Sequence, residues 1–180
     1  MSTIAVKKIK LGDNADTSKN FLIEVPAVAD GTLTIKREGG INVLSVAADG
    51  GIELNATWKS YTPVLLGATT AGVGTYTIRQ GEYLDLGTVV FVRIRLDWSA
   101  HTGTGAMHIT LPTMADNTTL NALTTWGNGT NVGAAHVPLA LVINSDAIQI
   151  YGVSTSGGGA AVPSMDTTGA LVITGWYRKA

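Results

Sequence analysis

No cysteine occurs anywhere in the 180 residues, which removes disulfides, thiolate nucleophiles and cysteine-based zinc sites together. Stability has to come from packing or from assembly. Charge is scarce as well: 14% of residues carry one, and the two signs nearly cancel to a net −1. Nothing therefore steers the chain toward nucleic acid or anionic lipid. No apolar run approaches a membrane span, so membrane insertion is not expected. The first ten residues carry three lysines but no apolar core of signal-peptide length. The expectation is a protein made in a cytoplasm that follows no standard secretory route and can still act outside as part of a released particle. Helix signals are nearly absent. What is abundant is glycine, with 22 residues, alongside Ser, Thr, Asn and β-branched side chains, the composition of an all-β protein with many tight turns.

One stretch organises the rest. From Val89 to Trp98 the sequence alternates strictly, with Val90, Val92, Ile94, Leu96 and Trp98 on one side and Phe91, Arg93, Arg95 and Asp97 on the other. Ten residues at the strand rise make a ribbon of roughly 33 Å, long for a strand and too polar on one face to be buried on both. A slip of one residue would turn both arginines and the aspartate inward, where each unpaired charge costs several kcal/mol. The register is therefore well specified. Phe91 beside Arg93 and Arg95 makes the outer face unusual, suited to cross-strand pairing or to contact with another subunit.

Before this strand the chain changes texture at Thr57. Residues 1–56 hold short alternating runs: Phe21, Ile23 and Val25, then Leu33 and Ile35, then Ile41 to Val46, separated by turns at Ala29-Asp30-Gly31, Glu38-Gly39-Gly40 and Ala48-Asp49-Gly50-Gly51. They contain too few large apolar side chains to close a core, and isolated hairpins are marginal in water. Copies wrapped around a three-fold axis would bury those small faces, so 1–56 reads as an oligomeric stalk or connector of short β-hairpins. Residues 57–180 read as a second domain of about seven to nine strands at the spacing of a β-sandwich or jelly roll. Within it, Thr113 to Ala135 shows little apolar alternation and many Asn, Thr and Gly residues, and is expected to be one long functional loop.

Two sets of short motifs carry a family resemblance. Leu11-Gly12-Asp13-Asn14, Asn20-Phe21, Val25-Pro26, Asp30-Gly31-Thr32-Leu33 and Ala48-Asp49-Gly50-Gly51-Ile52 look like the repeat of phage fibre proteins. Trp58, Tyr61-Thr62-Pro63, Gly74-Thr75-Tyr76, Gly81, the Val89 to Leu96 strand and Gly103 to Pro112 look like their C-terminal domain. Most of the chain thus resembles bacteriophage tail fibre proteins. The resemblance implies a homotrimer with a β-sandwich head that binds a bacterial surface polysaccharide or outer-membrane protein, located in the virion and joined to other tail proteins through the N-terminus. It carries no receptor-site residues over.

The residues themselves offer binding more readily than catalysis. Gly152-Val153-Ser154-Thr155-Ser156 lacks the second glycine of a nucleophile elbow, and no HExxH, P-loop or EF-hand pattern occurs. Glu82, Asp85, Asp97, Asp116, Asp146 and Asp166 are scattered among turns, with no pair assigned to a sugar groove. His101, His108 and His136 lack ligand spacing. No enzyme, metal or cofactor is expected. Sugars are held by aromatic faces and planar amide or carboxylate groups, and Trp126 lies among Asp116, Asn117, Asn121, Asn128 and Asn131. The candidate ligand set is Trp126, Asn128, Asn131, Asp116 and Asn117, with Tyr151 at the same end of the domain or the opposite one. Either Trp126 stacks on a ligand or it anchors its loop to the domain. Trp58, Trp98 and Trp176, in strand contexts, read as core or interface. The rival functions are a structural virion component, such as a connector or decoration protein, and a polysaccharide-degrading tail protein.

Overall fold

Every regular element among the described residues is a β-strand. The computed structural model describes residues 8–12, 15, 20–24, 32–37, 42–54, 56–116, 118, 121–128, 136–144, 146–156 and 158–180. The chain divides into two compact units, Met1–Ala56 and Thr57–Ala180.

The first unit is an antiparallel meander of β1 (Lys8–Leu11), β2 (Phe21–Glu24), β3 (Leu33–Arg37), β4 (Asn42–Val46) and β5 (Ile52–Leu54), paired in chain order. Register sorts its side chains by face. Ile9, Ile23, Ile35, Leu44 and Leu54 stand opposite one another across all five strands. Leu11 and Phe21 form a parallel row on the same face, and Leu33, Val46 and Ile52 form another. The alternate positions hold Lys10, Glu24, Thr34, Lys36, Ser45 and Glu53 together with the buried Leu22, and Lys36 and Glu24 are paired as ions. At the β4–β5 turn, the Gly50 amide donates to the Ala47 carbonyl at 2.9 Å and the Gly51 amide to Asp49 Oδ1 at 2.9 Å. Gly50 sits at φ +86°, a left-handed conformation that costs glycine nothing. The turns expected at Ala29 to Gly31 and Glu38 to Gly40 lie outside the described residues.

The second unit is one sheet of ten strands: β6 (Lys59–Tyr61), β7 (Leu65–Gly67), β8 (Gly74–Asp85), β9 (Val89–His101), β10 (Met107–Thr110), β11 (Asn121–Asn128), β12 (His136–Asn144), β13 (Ala147–Ser154), β14 (Ala160–Ala161) and β15 (Gly169–Arg178). The path runs β6-β8-β9-β15-β11-β12-β13-β10-β7, with β14 added beside β13. Laid flat, eight spacings of about 4.8 Å would put β6 and β7 some 38 Å apart. Yet only Thr62, Pro63 and Val64 join these two strands, and four Cα steps reach at most about 14 Å. The connectivity alone forces the sheet to curl until its halves face each other.

The core fills the space between those halves. Val90, Val92, Ile94, Leu96 and Trp98 from β9, with Leu171, Ile173 and Tyr177 from β15, form one cluster with Met107, Ile109, Ala140, Val142, Ile148 and Ile150 from the other half. The inward set of β9 is the one its alternation predicts. β11 is the corner strand: Asn121, Ala122 and Leu123 pair with β12, and Thr124 to Asn128 pair with β15.

β11 corrects the expectation of one long loop from Thr113 to Ala135. Its inward positions are Asn121, Leu123, Thr125 and Gly127, only one of them a large apolar residue. No apolar alternation marks it, because ladder bonds to neighbours on both sides hold it in place of burial of its own side chains.

The closing edge is fastened by polar contacts. His101, buried at the end of β9, donates from Nε2 to the Leu65 carbonyl at 3.0 Å and accepts the Gly103 amide on Nδ1 at 2.9 Å. Tyr76 Oη accepts the Leu65 amide at 3.2 Å, and Arg79 Nε donates to the Pro63 carbonyl at 2.7 Å. Gly67 lets β7 approach this edge: a Cβ there would stand 2.3 Å from the Thr104 carbonyl oxygen and 2.5 Å from that of Thr70. Gly67→Ala should therefore destabilise the second unit by about 1 to 3 kcal/mol. Gly159→Ala, which points a Cβ into open space, should stay within about 0.5 kcal/mol of wild type. Chemical denaturation followed by tryptophan emission measures both.

Candidate functional site

The same alternation that fills the core sends the other half of β9 outward, and its neighbours in register complete a surface. Arg95 lies between Val172 of β15 and Gln80 of β8, and Val172 in turn lies beside Trp126 of β11. One row along the strands, Arg93 lies between Thr174 and Glu82, with Thr124 beyond Thr174 and Ser60 beyond Glu82. A third row holds Trp176, Phe91 and Leu84. Across this face runs an open groove of about 710 Å³, lined by Ser60, Thr62, Gln80, Glu82, Arg93, Arg95, Val172 and Thr174 among others.

Four aromatic residues surround or border the arginines. The Arg93 guanidinium stacks over the Trp58 ring at 5.6 Å. Trp58, Phe91, Trp126 and Trp176 are between 37% and 57% exposed, an expensive amount of aromatic surface to leave in water. The arginines are held loosely: Arg93 meets Glu82 at 3.6 Å and Arg95 meets Asp97 at 3.1 Å, both in exposed pairs. Such pairs contribute about 0 to 1 kcal/mol, so either guanidinium can turn to a ligand at little cost. Tyr61 also lines the groove from beneath; its hydroxyl is buried without a hydrogen-bond partner among the described residues, and burial, reinforced by Tyr177, pushes the phenol well above its usual range.

The candidate residues read from the sequence separate. Trp126 and Asn128 stand two residues apart on the outward face of β11, opposite Val172 and Ala170, so they belong beside the groove. Trp126 is too exposed to anchor anything to the domain. Asn117 and Asn131 lie outside the described residues. Tyr151 points outward from β13 opposite Leu139, on the other half of the curled sheet and away from the groove residues.

Asp116 is committed elsewhere. It accepts the Thr118 hydroxyl at 2.6 Å and the Thr118 amide at 2.9 Å, meets Arg178 Nε at 3.3 Å, and donates its own amide to the Arg178 carbonyl at 2.8 Å. Arg178 lies six residues along β15 from Val172, which at the strand rise is about 20 Å. Thus Asp116 fastens the C-terminal strand and is not a partner of Trp126. The reading of all three strand tryptophans as core or interface divides too: Trp98 is buried, while Trp58 and Trp176 reach the outer face. Phe91, Arg93 and Arg95 were visible as an unusual outward set. Their neighbours on β8 and β15 come from pairing that no local spacing records. Among the described residues, no group of three or more His, Asp or Glu side chains is placed to hold a metal ion.

The chain is similar to the crystal structure of the Dettilon tailspike protein, with a TM-score of 0.55 and 22% identity over 68% of this chain and 23% of that one. The likeness is one of fold. It spans less than a quarter of the tailspike's length. No protein-family model matches the chain, and no curated protein matches it.

The same end of β15 gives a test of electrostatics. Hydrogen bonds from Lys179 Nζ at 2.6 Å, and then from the Gly87 amide, hold the Asp85 carboxyl below the usual range; the Thr118 bonds do the same for Asp116. A carboxyl whose pKa is lowered by folding adds stability that is fully present above its unfolded value near 4, and loses it as pH falls through the folded value. Asp85→Asn should therefore lower the melting temperature by a few degrees at pH 7, and the two chains should converge as pH drops below about 4. A gap that stays constant from neutral to acid pH, in thermal melts, would contradict this role.

Proposed function

We propose that this chain is a bacteriophage tail fibre tip whose C-terminal unit binds a bacterial surface component, a polysaccharide or outer-membrane molecule, during host attachment. The observation that carries the reading is the groove on the outer face of β8, β9 and β15, with Arg93 and Arg95 on its floor and Trp58 and Trp126 beside it. A pyranose presents an apolar C–H face to an aromatic ring and a rim of hydroxyls to guanidinium, amide and hydroxyl groups, and this face supplies each kind. The tailspike-like fold and the fibre-like motifs point the same way.

Trp126 stacks on the ligand in this reading, Asn128 and Thr174 orient it, and the arginines exchange their exposed carboxylate partners for ligand oxygens. No bond is broken: Glu82 and Asp97 are arginine partners and do not serve as an acid–base pair. The protein acts in the virion at the cell surface, as a homotrimer joined to other tail proteins through its N-terminus. Three weak sites on one tip raise avidity by orders of magnitude without new contacts.

The exposed apolar row of Trp176, Phe91 and Leu84 favours one rival, a structural virion component that docks another phage protein on this face. Adsorption of labelled protein to candidate hosts, with competition by their purified polysaccharide, separates the two. Trp126→Ala and Arg95→Ala should each weaken adsorption at least about tenfold, or about 1.4 kcal/mol, with unchanged melting, and Tyr151→Ala should leave it intact. Full adsorption by both groove variants would move the site elsewhere. Release of reducing ends from the polysaccharide would reveal an enzyme instead.

A further inference from the structure

The groove of the C-terminal unit is unbalanced in charge. The chain has five arginines and a net charge of −1, yet three of the five, Arg79, Arg93 and Arg95, line this groove against one carboxylate, Glu82. Asp97, the partner of Arg95, stands on the outward side of β9 but is not part of the lining. Two of the guanidiniums are already placed. Arg93 lies over Trp58, and Arg79 lies 4.8 Å over the Tyr76 ring while its Nε donates to the Pro63 carbonyl. Contact with a ring restrains a guanidinium without using its hydrogen-bond donors. Arg93 and Arg95 stand two residues apart on β9, about 7 Å at the strand rise.

We infer that the polysaccharide taken by this groove is acidic, with carboxylate or phosphate groups on its sugars that meet Arg93 and Arg95. The inference rests on the groove being the receptor site and names the class of ligand for it. A guanidinium donates from every nitrogen and accepts nothing, so this lining asks for oxygen acceptors. Neutral hydroxyls supply acceptors, but a hydrogen bond to an ionised oxygen is roughly twice as strong as one between neutral groups. Glu82 and Asp97 are ionised oxygens already in place, and a neutral sugar would have to displace them with weaker partners. A carboxylate or phosphate replaces like with like, and its paired oxygens fit the planar fork. The displaced Glu82, its side chain 51% exposed, turns to water. With Asp97 counted, three arginines still face two carboxylates, so a bound anion is attracted on balance.

The test uses surface polysaccharide purified from bacteria that adsorb the chain, immobilised untreated, methyl-esterified at its carboxyls, or stripped of phosphate with hydrofluoric acid. One of the two treatments should lower the affinity of the wild-type chain at least about tenfold, and which one does so tells carboxylate from phosphate. Affinity for the untreated polymer should also fall as salt rises from about 0.05 to about 0.5 M. Arg95→Gln, melting as the wild type does, should cost a similar factor. Its cost and that of the treatment should combine to less than their sum, because each removes one end of the same contact. Arg178→Gln, about 20 Å along β15 from Val172 and outside the lining, should keep full affinity. Equal affinity for all forms, with Trp126→Ala still weakening each, overturns the acidic assignment and leaves the groove reading standing. An equal loss in Arg178→Gln overturns it too, as general attraction of charge. Binding unaltered by both Trp126→Ala and Arg95→Gln, or adsorption abolished by protease and not by periodate, removes the groove as a polysaccharide site and the inference with it.

Discussion

The register of β9 is the constraint on which the second unit depends. Its residues pair with β8 on one side and β15 on the other, Ile94 facing Gly81 and Ile173, Leu96 facing Arg79 and Leu171. Five apolar side chains go to the core, each contributing about 1.5 to 3 kcal/mol on burial, and Phe91, Arg93 and Arg95 go to the surface. One strand therefore sets both the packing and the groove. Moving it by a residue would bury two guanidiniums and remove the groove floor in the same step. The selection that keeps the core intact keeps the surface aligned as well.

The long strand was legible because both its faces declare themselves, and the turn at Asp49-Gly50 was legible because its geometry needs the residues found there. β11 was not. Its inward side offers Asn121, Thr125 and Gly127, and its identity as a strand depends on β15 and β12, which lie far away in sequence. The candidate site divides in the same way. Trp126 and Asn128 share a face because they stand two residues apart on one strand, but the sequence reading placed them in a loop. The partners of Asp116 were not legible, because Arg178 lies on the last strand. Val172, Thr174, Glu82 and Gln80 carry no local mark of a site at all; pairing across strands brings them to the arginines.

Closure of the ten-stranded sheet is also a statement about where strain is tolerated. The joint between its ends is three residues long and has little apolar surface, so polar contacts hold it: His101 and Tyr76 on the two backbone groups of Leu65, and Arg79 on Pro63. Gly67 permits the approach. At the edge strand β7 these contacts satisfy the Leu65 amide and carbonyl, groups that would otherwise be open to pairing with another strand. The outer face of β8, β9 and β15 is left as the large aromatic surface still in contact with water.

The two units meet one physical requirement by different routes. A sheet with an apolar face must place that face against something. A path of nine strands is wide enough to bend round and meet itself, and about eight are needed for side chains to fill a closed interior. Five strands, about 24 Å across, cannot do this, and those of the first unit are only three to five residues long. Width therefore decides what each can do by curling: the C-terminal unit closes a core between the halves of its own sheet, and the five described strands of the N-terminal unit are too few to do the same.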